Sequence, residues 1–342
     1  MKTVKEQIYE YLLDNGEMTV SAIVEAGNFG RQSYVSRVLA QLKDEGRLLS
    51  RKSGRLAYYR VANYLVGLEE NLKLKGLKED EIWEKVRANR DFVGGMSERV
   101  ENILYFAFTE MLNNAVDHSK SGVGYVKVWQ EENIYKFIVR DKGVGVFLNL
   151  MAKKKLRDEV EAIQELAKGK QTTAPRRHSG EGIFWVSKIA DKFSLKSYNY
   201  EYAVDNELKD YTIKKNEKKV MGTEVYFEIR GDTQKSLQKL FEKFALDHVR
   251  YSFDTTEIPV KLFEAGDVWI SRSQAKRILS GLEKYKKIIL DFKGIEVIGQ
   301  GFADEIFRVF EIAHPEIMIE AVNMAPSVEI LVRRAENDRT GR

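Results

Sequence analysis

The apolar positions of the chain change rhythm several times, and each change predicts a different kind of element. Over the first 62 residues the spacing is helical. Ile8, Tyr9, Leu12 and Leu13 form one stripe, and Ile23 and Val24 follow Thr19, a hydroxyl placed to cap a second helix. Gly27-Asn28-Phe29-Gly30 predicts a turn. Val35, Val38, Leu39 and Leu42 line one side of a third helix, Ser33, Tyr34 and Arg37 lie on the other, and Gly46 closes it. The run from Leu48 to Val61 predicts a strand, a basic glycine turn and a second strand. Residues 63–97 are charged, and Leu65, Leu68, Leu72, Ile82, Trp83 and Val86 predict a helical connector. A long helical stripe follows: Val100, Ile103, Leu104, Ala107, Phe108, Met111 and Ala115. Residues 231–257 hold a second connector helix. Residues 258–338 then alternate: strands at Val260–Phe263 and Val268–Ile270, a helix at Gln274–Tyr285, a buried strand at Lys287–Phe292, a helix at Phe302–Ala313, a strand at Ile317–Val322 and a last helix at Val328–Ala335. That alternation predicts a small α/β layer.

With 342 residues, this pattern divides into three folded units: 1–62, 98–230 and 258–338, joined by the two connectors. Three helices followed by a basic hairpin is the element order of a winged helix-turn-helix. Net charge is only +4, but residues 31–60 hold eight basic and two acidic side chains. A local basic patch on a near-neutral chain points to a polyanion, here duplex DNA. Arg31, Gln32, Ser33, Tyr34 and Arg37 are the candidates for base and phosphate contacts, and Arg51, Lys52 and Arg55 for wing contacts. A winged helix used for protein contacts is the alternative. The chain has no cysteine and only four histidines, which excludes disulfides, thiolate zinc sites and a thiol nucleophile. No stretch has the run of apolar residues of a membrane helix, and the amino terminus has charges scattered through its apolar positions. The expected address is the cytoplasm.

The chemistry concentrates in 98–230. On the long helix, Glu110, Asn114 and Asp117/His118 share one face, presenting a carboxylate, a carboxamide and an imidazole. A carboxamide oxygen is a hard ligand suited to Mg²⁺. A carboxylate one turn away can orient or deprotonate a nucleophile. Asp141-Lys142-Gly143-Val144-Gly145 ends a predicted strand, with glycines that allow a tight turn and an aspartate placed to accept from an exocyclic amine. A polar insertion over 146–179 carries Lys168, Lys170, Arg176, Arg177 and His178, and Gly180 and Gly182 open the next helix. Gly222-Thr223 then starts a strand. Taken singly, each is also what a solvated helix face, a turn or a basic loop looks like.

In this order and spacing the four pieces resemble the nucleotide-binding boxes of the GHKL superfamily of gyrase-type, Hsp90-type, histidine-kinase and anti-sigma-factor-kinase domains. The resemblance covers roughly residues 98–230. It implies a Bergerat-type α/β sandwich that binds ATP and Mg²⁺ beneath a mobile lid. By position it implies that Asp141 meets the adenine amine, with Gly143 and Gly145 shaping that end and Thr223 supporting it. It further implies that Asn114 holds Mg²⁺, that Gly180 and Gly182 form the phosphate-side hinge, and that Glu110 is the general base. One or more of Lys170, Arg176 and Arg177 would clamp the γ-phosphate; His118 would be a structural cap or a phosphate contact. Glu110 followed by Asn114-Ala115 and an acidic residue is closest to the anti-sigma-factor serine kinases. The 64–100 stretch contains no histidine, so a self-phosphorylating histidine kinase is disfavoured.

Residues 289–304 resemble the strand–loop–helix of STAS domains, with Gly299-Gln300-Gly301 where those carry a phosphorylatable serine. Ser271 and Ser273 precede a helix and are placed to cap it. The whole is expected to be a multidomain α/β and α+β protein. Its expected role is that of a bacterial signalling and transcription regulator in which an ATP-binding domain, with ATPase or kinase chemistry, gates a DNA-binding winged helix. Two alternatives stand beside it: a serine/threonine kinase acting on a separate protein, and a slow ATPase whose lid closure drives dimerisation. The implied partners are DNA, a protein docking on the STAS-like domain, and a second copy of the chain.

Overall fold

A computed structural model describes residues 3–27, 29–45, 47–62, 64–169, 181–246, 253–263 and 271–340. The first part is built from helices α1 (Val4–Asn15), α2 (Val20–Ala26) and α3 (Gln32–Asp44), with strands β1 (Met18–Thr19), β2 (Leu48–Ser53) and β3 (Leu56–Val61) in the order β1-β3-β2. The caps are local and sequence-encoded. Thr3 and Glu6 form a capping box on α1, and the Thr19 hydroxyl accepts from Ala22 N–H to start α2. Ile8, Leu12, Ile23, Val35, Val38, Leu39, Leu42 and Leu48 close a separate small core.

The 63–97 stretch departs from the expected helical connector. Tyr64–Lys73 is a strand, β4, and only α4 (Glu79–Ala88) and α5 (Arg90–Val93) are helical. Leu68 and Leu72 are four apart, a spacing shared by a helix turn and one face of a strand. The backbone decides: β4 pairs antiparallel with β5 (Val123–Glu131) along its length, with an irregularity between Val66 and Leu68. Gly67 lies under the Phe92 ring, where a Cβ would come within 2.7 Å of it.

The central sheet has the order β4-β5-β6-β8-β7 and is antiparallel throughout, with β6 Ile134–Asp141, β7 Lys192–Asp205 and β8 Asp210–Arg230. Period-two alternation gives it one apolar face, including Val126, Val128, Phe137, Val139, Val225 and Phe227. Helix α6 (Glu98–His118) packs on that face, and all seven residues of its predicted stripe are buried. Phe137 sits between Phe108 of α6, at 5.6 Å edge to face, and Phe227 of β8, stacked at 4.8 Å. The expected polar insertion is in part helical, with α7 (Val146–Lys154) and α8 (Glu159–Ala167) preceding Lys168. Helix α9 (Gly182–Ile189) follows.

Of residues 231–257, Leu237–Phe244 forms helix α10 and Thr255–Pro259 is already strand β9. The strand expected at Val260–Phe263 is instead a 3-10 turn. Pro259 has no N–H to extend a ladder, and β9 ends on it. The strand expected at Val268–Ile270 lies outside the described residues. Then come α11 (Arg272–Leu279), β10 (Lys287–Asp291), α12 (Gln300–Asp304), a π turn at Glu305–Phe310, α13 (Glu311–Ala313), β11 (Met318–Val322) and α14 (Pro326–Thr340). Helix α11 stops six residues short of the expected end, before Gly281 at φ 74°. Ser271 caps α11 in a capping box with Gln274, as expected. The sheet β11-β10-β9 is parallel, and its core is continuous with the central one.

Candidate functional site

Strand β6 ends on Asp141, whose carboxylate is 6% exposed. Its Oδ1 accepts from Gly143 N–H at 2.8 Å, folding the chain into a tight turn. Burial pushes this carboxyl above the ordinary aspartate range, while the Gly143 amide and the Thr223 amide and hydroxyl pull the other way. The Thr223 hydroxyl also accepts from Val146 N–H at 3.0 Å, the first residue of α7. A relay therefore runs from the α7 start through Thr223 to Asp141.

Three glycines make this packing feasible. A Cβ at Gly143 would fall 1.9 Å from Ser119 O. At Gly145, with φ 75°, it would fall 2.5 Å from Ser197 Oγ. At Gly222, with φ 76°, it would meet Asp141 O at 2.3 Å and Oδ1 at 2.6 Å. Ser119, just past α6, also accepts Val144 N–H on its carbonyl at 2.8 Å. The Ser197 hydroxyl, fully buried, donates to Gly222 O at 2.8 Å. Sequence reasoning missed Ser197 as a site residue and gave Gly222 no role beyond opening a strand with Thr223. Ser197 follows no motif; Gly222 lies inside β8 rather than at the start of a strand, at φ 76°, where it lets the strand pass close to Asp141.

The other end of the site is set by α6 and α9. A Cβ on Gly182 would lie 2.2 Å from Glu110 Oε2, so the carboxylate rests against the first residue of α9. Glu110 and Ser119 are nine residues apart, about 13 Å along the axis. Asn114 lies between them. Its side-chain Nδ2 is buried and has no hydrogen-bond partner among the described residues. Buried amides are normally paired, so this one fits an acceptor supplied by a ligand. Asp117 is exposed and His118 half-buried one turn further on. No group of three or more His, Asp or Glu that could hold a metal occurs among the described residues. Lys170, Arg176, Arg177 and Gly180 lie outside the described residues.

Lys168, expected in an open basic loop, is 1% exposed and faces the C-terminal part of the chain. In the amino-terminal part, Arg31, Gln32, Ser33, Tyr34 and Arg37 are exposed at the start and outer side of α3, and Lys52 and Arg55 are exposed on the β2–β3 hairpin. Arg51 is also exposed but engaged: its guanidinium grips Glu17 at 2.5–3.0 Å and lies 4.7 Å over the Tyr58 ring.

Residues 274–329 match the family described as a STAS-like domain of unknown function (DUF4325). This part of the chain is a STAS-like domain. The match runs from α11 into α14 and takes in strands β10 and β11 of the parallel sheet, while β9 precedes it. Gly299 occupies the cap position of α12, so the STAS-like domain carries no hydroxyl at 299–301. No curated protein and no solved structure matches the chain. Among the described residues no helix is long and apolar enough to cross a membrane.

Proposed function

We propose that the central domain is a GHKL-type site for Mg-ATP and that its nucleotide state controls DNA binding by an amino-terminal winged helix. The observation that carries this reading is the buried Asp141 carboxylate, held in a glycine-shaped turn by Thr223, on the same helix-and-turn frame as the unpartnered Asn114 amide. Asp141 would accept from the exocyclic amine of adenine. The Asn114 carboxamide would supply an oxygen to Mg²⁺ and its N–H a donor to phosphate. Bound Mg-ATP would supply a phosphoryl group activated for transfer. Glu110, against Gly182, would orient or deprotonate the attacking water or hydroxyl. The exposed α3 face and hairpin supply cations for a duplex, at eight basic against two acidic residues in 31–60.

The test is titration of the full chain against genomic duplex fragments at low and moderate salt, with and without Mg-ATP. Nucleotide should change the DNA affinity. No binding under any condition removes the DNA half of the reading. A second reading, a serine/threonine kinase acting on a separate protein, is favoured by one observation: the STAS-like domain shares a core with the central domain. Incubation with γ-labelled ATP and cell lysate distinguishes the two by labelled protein against free phosphate.

A further inference from the structure

One residue between the two domains carries an unusual share of the contacts. The Lys168 ammonium has three donors, and each has an acceptor: Glu165 Oε1 at 2.6 Å, Arg277 O at 3.0 Å and Ser280 O at 2.8 Å. The last two carbonyls lie at the C-terminal end of α11, where a cation suits the helix dipole. The Lys168 carbonyl in turn accepts from Thr256 Oγ1 at 2.9 Å and from the Tyr285 phenol at 2.6 Å. Gly169 follows at φ 73°, where a Cβ would fall 2.9 Å from the Phe253 ring and 3.1 Å from Phe184. One turn earlier, Gln164 donates to Leu262 O at 2.8 Å. The end of α8 is thus clasped by β9, α11 and Tyr285.

At its other end α8 reaches the nucleotide site. Glu159 accepts from Asn199 Nδ2 at 2.7 Å and from Asn199 N–H at 3.3 Å. The adjoining Ser197 and Tyr198 are the residues against which Gly145 packs. Helix α7, which packs on α8, starts on the Val146 amide held by Thr223. The Asp141 turn and the α11 terminus are therefore two ends of one continuous path of packed elements and hydrogen bonds.

We infer that Lys168 is a positioning residue that builds the STAS-like domain into the frame of the Asp141 site, so that nucleotide binding and the order of α11 are linked. This rests on the nucleotide reading above. A buried ammonium with all its donors spent has few alternative geometries, and its loss strands two helix carbonyls and leaves Glu165 with Lys154 alone. Linkage is reciprocal: if nucleotide orders α11, uncoupling α11 weakens nucleotide.

The test is hydrogen exchange of the full chain with and without Mg-ATP, in the parent, Lys168→Met and Tyr285→Phe. Methionine keeps most of the apolar stem; Tyr285→Phe removes one hydrogen bond and serves if Lys168→Met does not fold. In the parent, Mg-ATP should slow exchange over 272–285. In the variants that remote slowing should shrink while circular dichroism is retained, and Mg-ATP affinity should fall ~5–150-fold for Lys168→Met. Nucleotide binding without protection at 272–285, or undiminished protection in a folded variant, overturns the inference. Absence of nucleotide binding in the parent overturns the nucleotide reading itself and the inference with it.

Discussion

Asp141→Asn should stabilise the nucleotide-free protein while weakening its affinity for Mg-ATP. The carboxylate is 6% exposed and burial raises its proton affinity above the ordinary range. The sign follows from linkage. As pH rises, the unfolded chain releases the Asp141 proton first, at the ordinary value, and the folded chain only later. Stability attributable to this group is therefore present at low pH and lost as pH climbs from the ordinary aspartate value through the raised one. At neutral pH the whole cost is in force. Asparagine is nearly isosteric and uncharged, and its Oδ1 can still accept from Gly143 N–H. The gap between variant and parent in urea melts should favour the variant at pH 7 and close as pH falls below the ordinary aspartate value. Taking the difference removes the other carboxylates, such as Glu165 and Glu257, which lysines hold below the usual range. In binding, loss of a buried charge-assisted hydrogen bond costs ~1.5–3 kcal/mol, or roughly 10–150-fold. Calorimetry and melts on the same samples check both arms. A variant less stable than the parent at pH 7, a gap independent of pH, or unchanged Mg-ATP affinity would refute the reasoning.

Glu110→Gln should keep nucleotide binding and lose ~10²–10⁴-fold in turnover, measured as phosphate release or transfer; parental turnover would make Glu110 structural. Lys52→Ala with Arg55→Ala should flatten the salt dependence of DNA binding by up to ~2 units in a log–log plot. Glu17→Ala should do the opposite and strengthen DNA binding, because it releases the Arg51 guanidinium from its carboxylate partner; unchanged affinity would remove Arg51 from the interface.

Local signals were the most legible. The Thr19 and Ser271 caps, the α6 stripe and the hairpin at 48–61 each depend on neighbours within a few residues, and each is where its pattern predicts. Strand β4 was not legible, because its leucine spacing suits two periods and only pairing with the distant β5 selects one. The start of the C-terminal sheet slipped for a related reason. Val260–Phe263 is apolar enough for a strand, but the ladder partner of β10 is Thr255–Pro259, whose threonines suit a strand while their polarity hides that it is buried. Of the candidate site residues, Glu110 and Asn114 lie on α6, Asp141 and Gly143 at the turn after β6, and Thr223 in β8 beside that turn. Lys168 was misplaced by sequence because its partners are backbone carbonyls over a hundred residues away, and a carbonyl leaves no trace in composition.

The central claim is that Asp141 reads an exocyclic amine on a nucleotide. Calorimetric titration of the full chain with Mg-ATP and with Mg-ITP, whose base carries a carbonyl in place of that amine, tests it most directly. The account predicts binding of Mg-ATP with ITP weaker by at least the roughly 10-fold that one charge-assisted hydrogen bond supplies. Equal affinity for the two, or no binding of Mg-ATP, would contradict it.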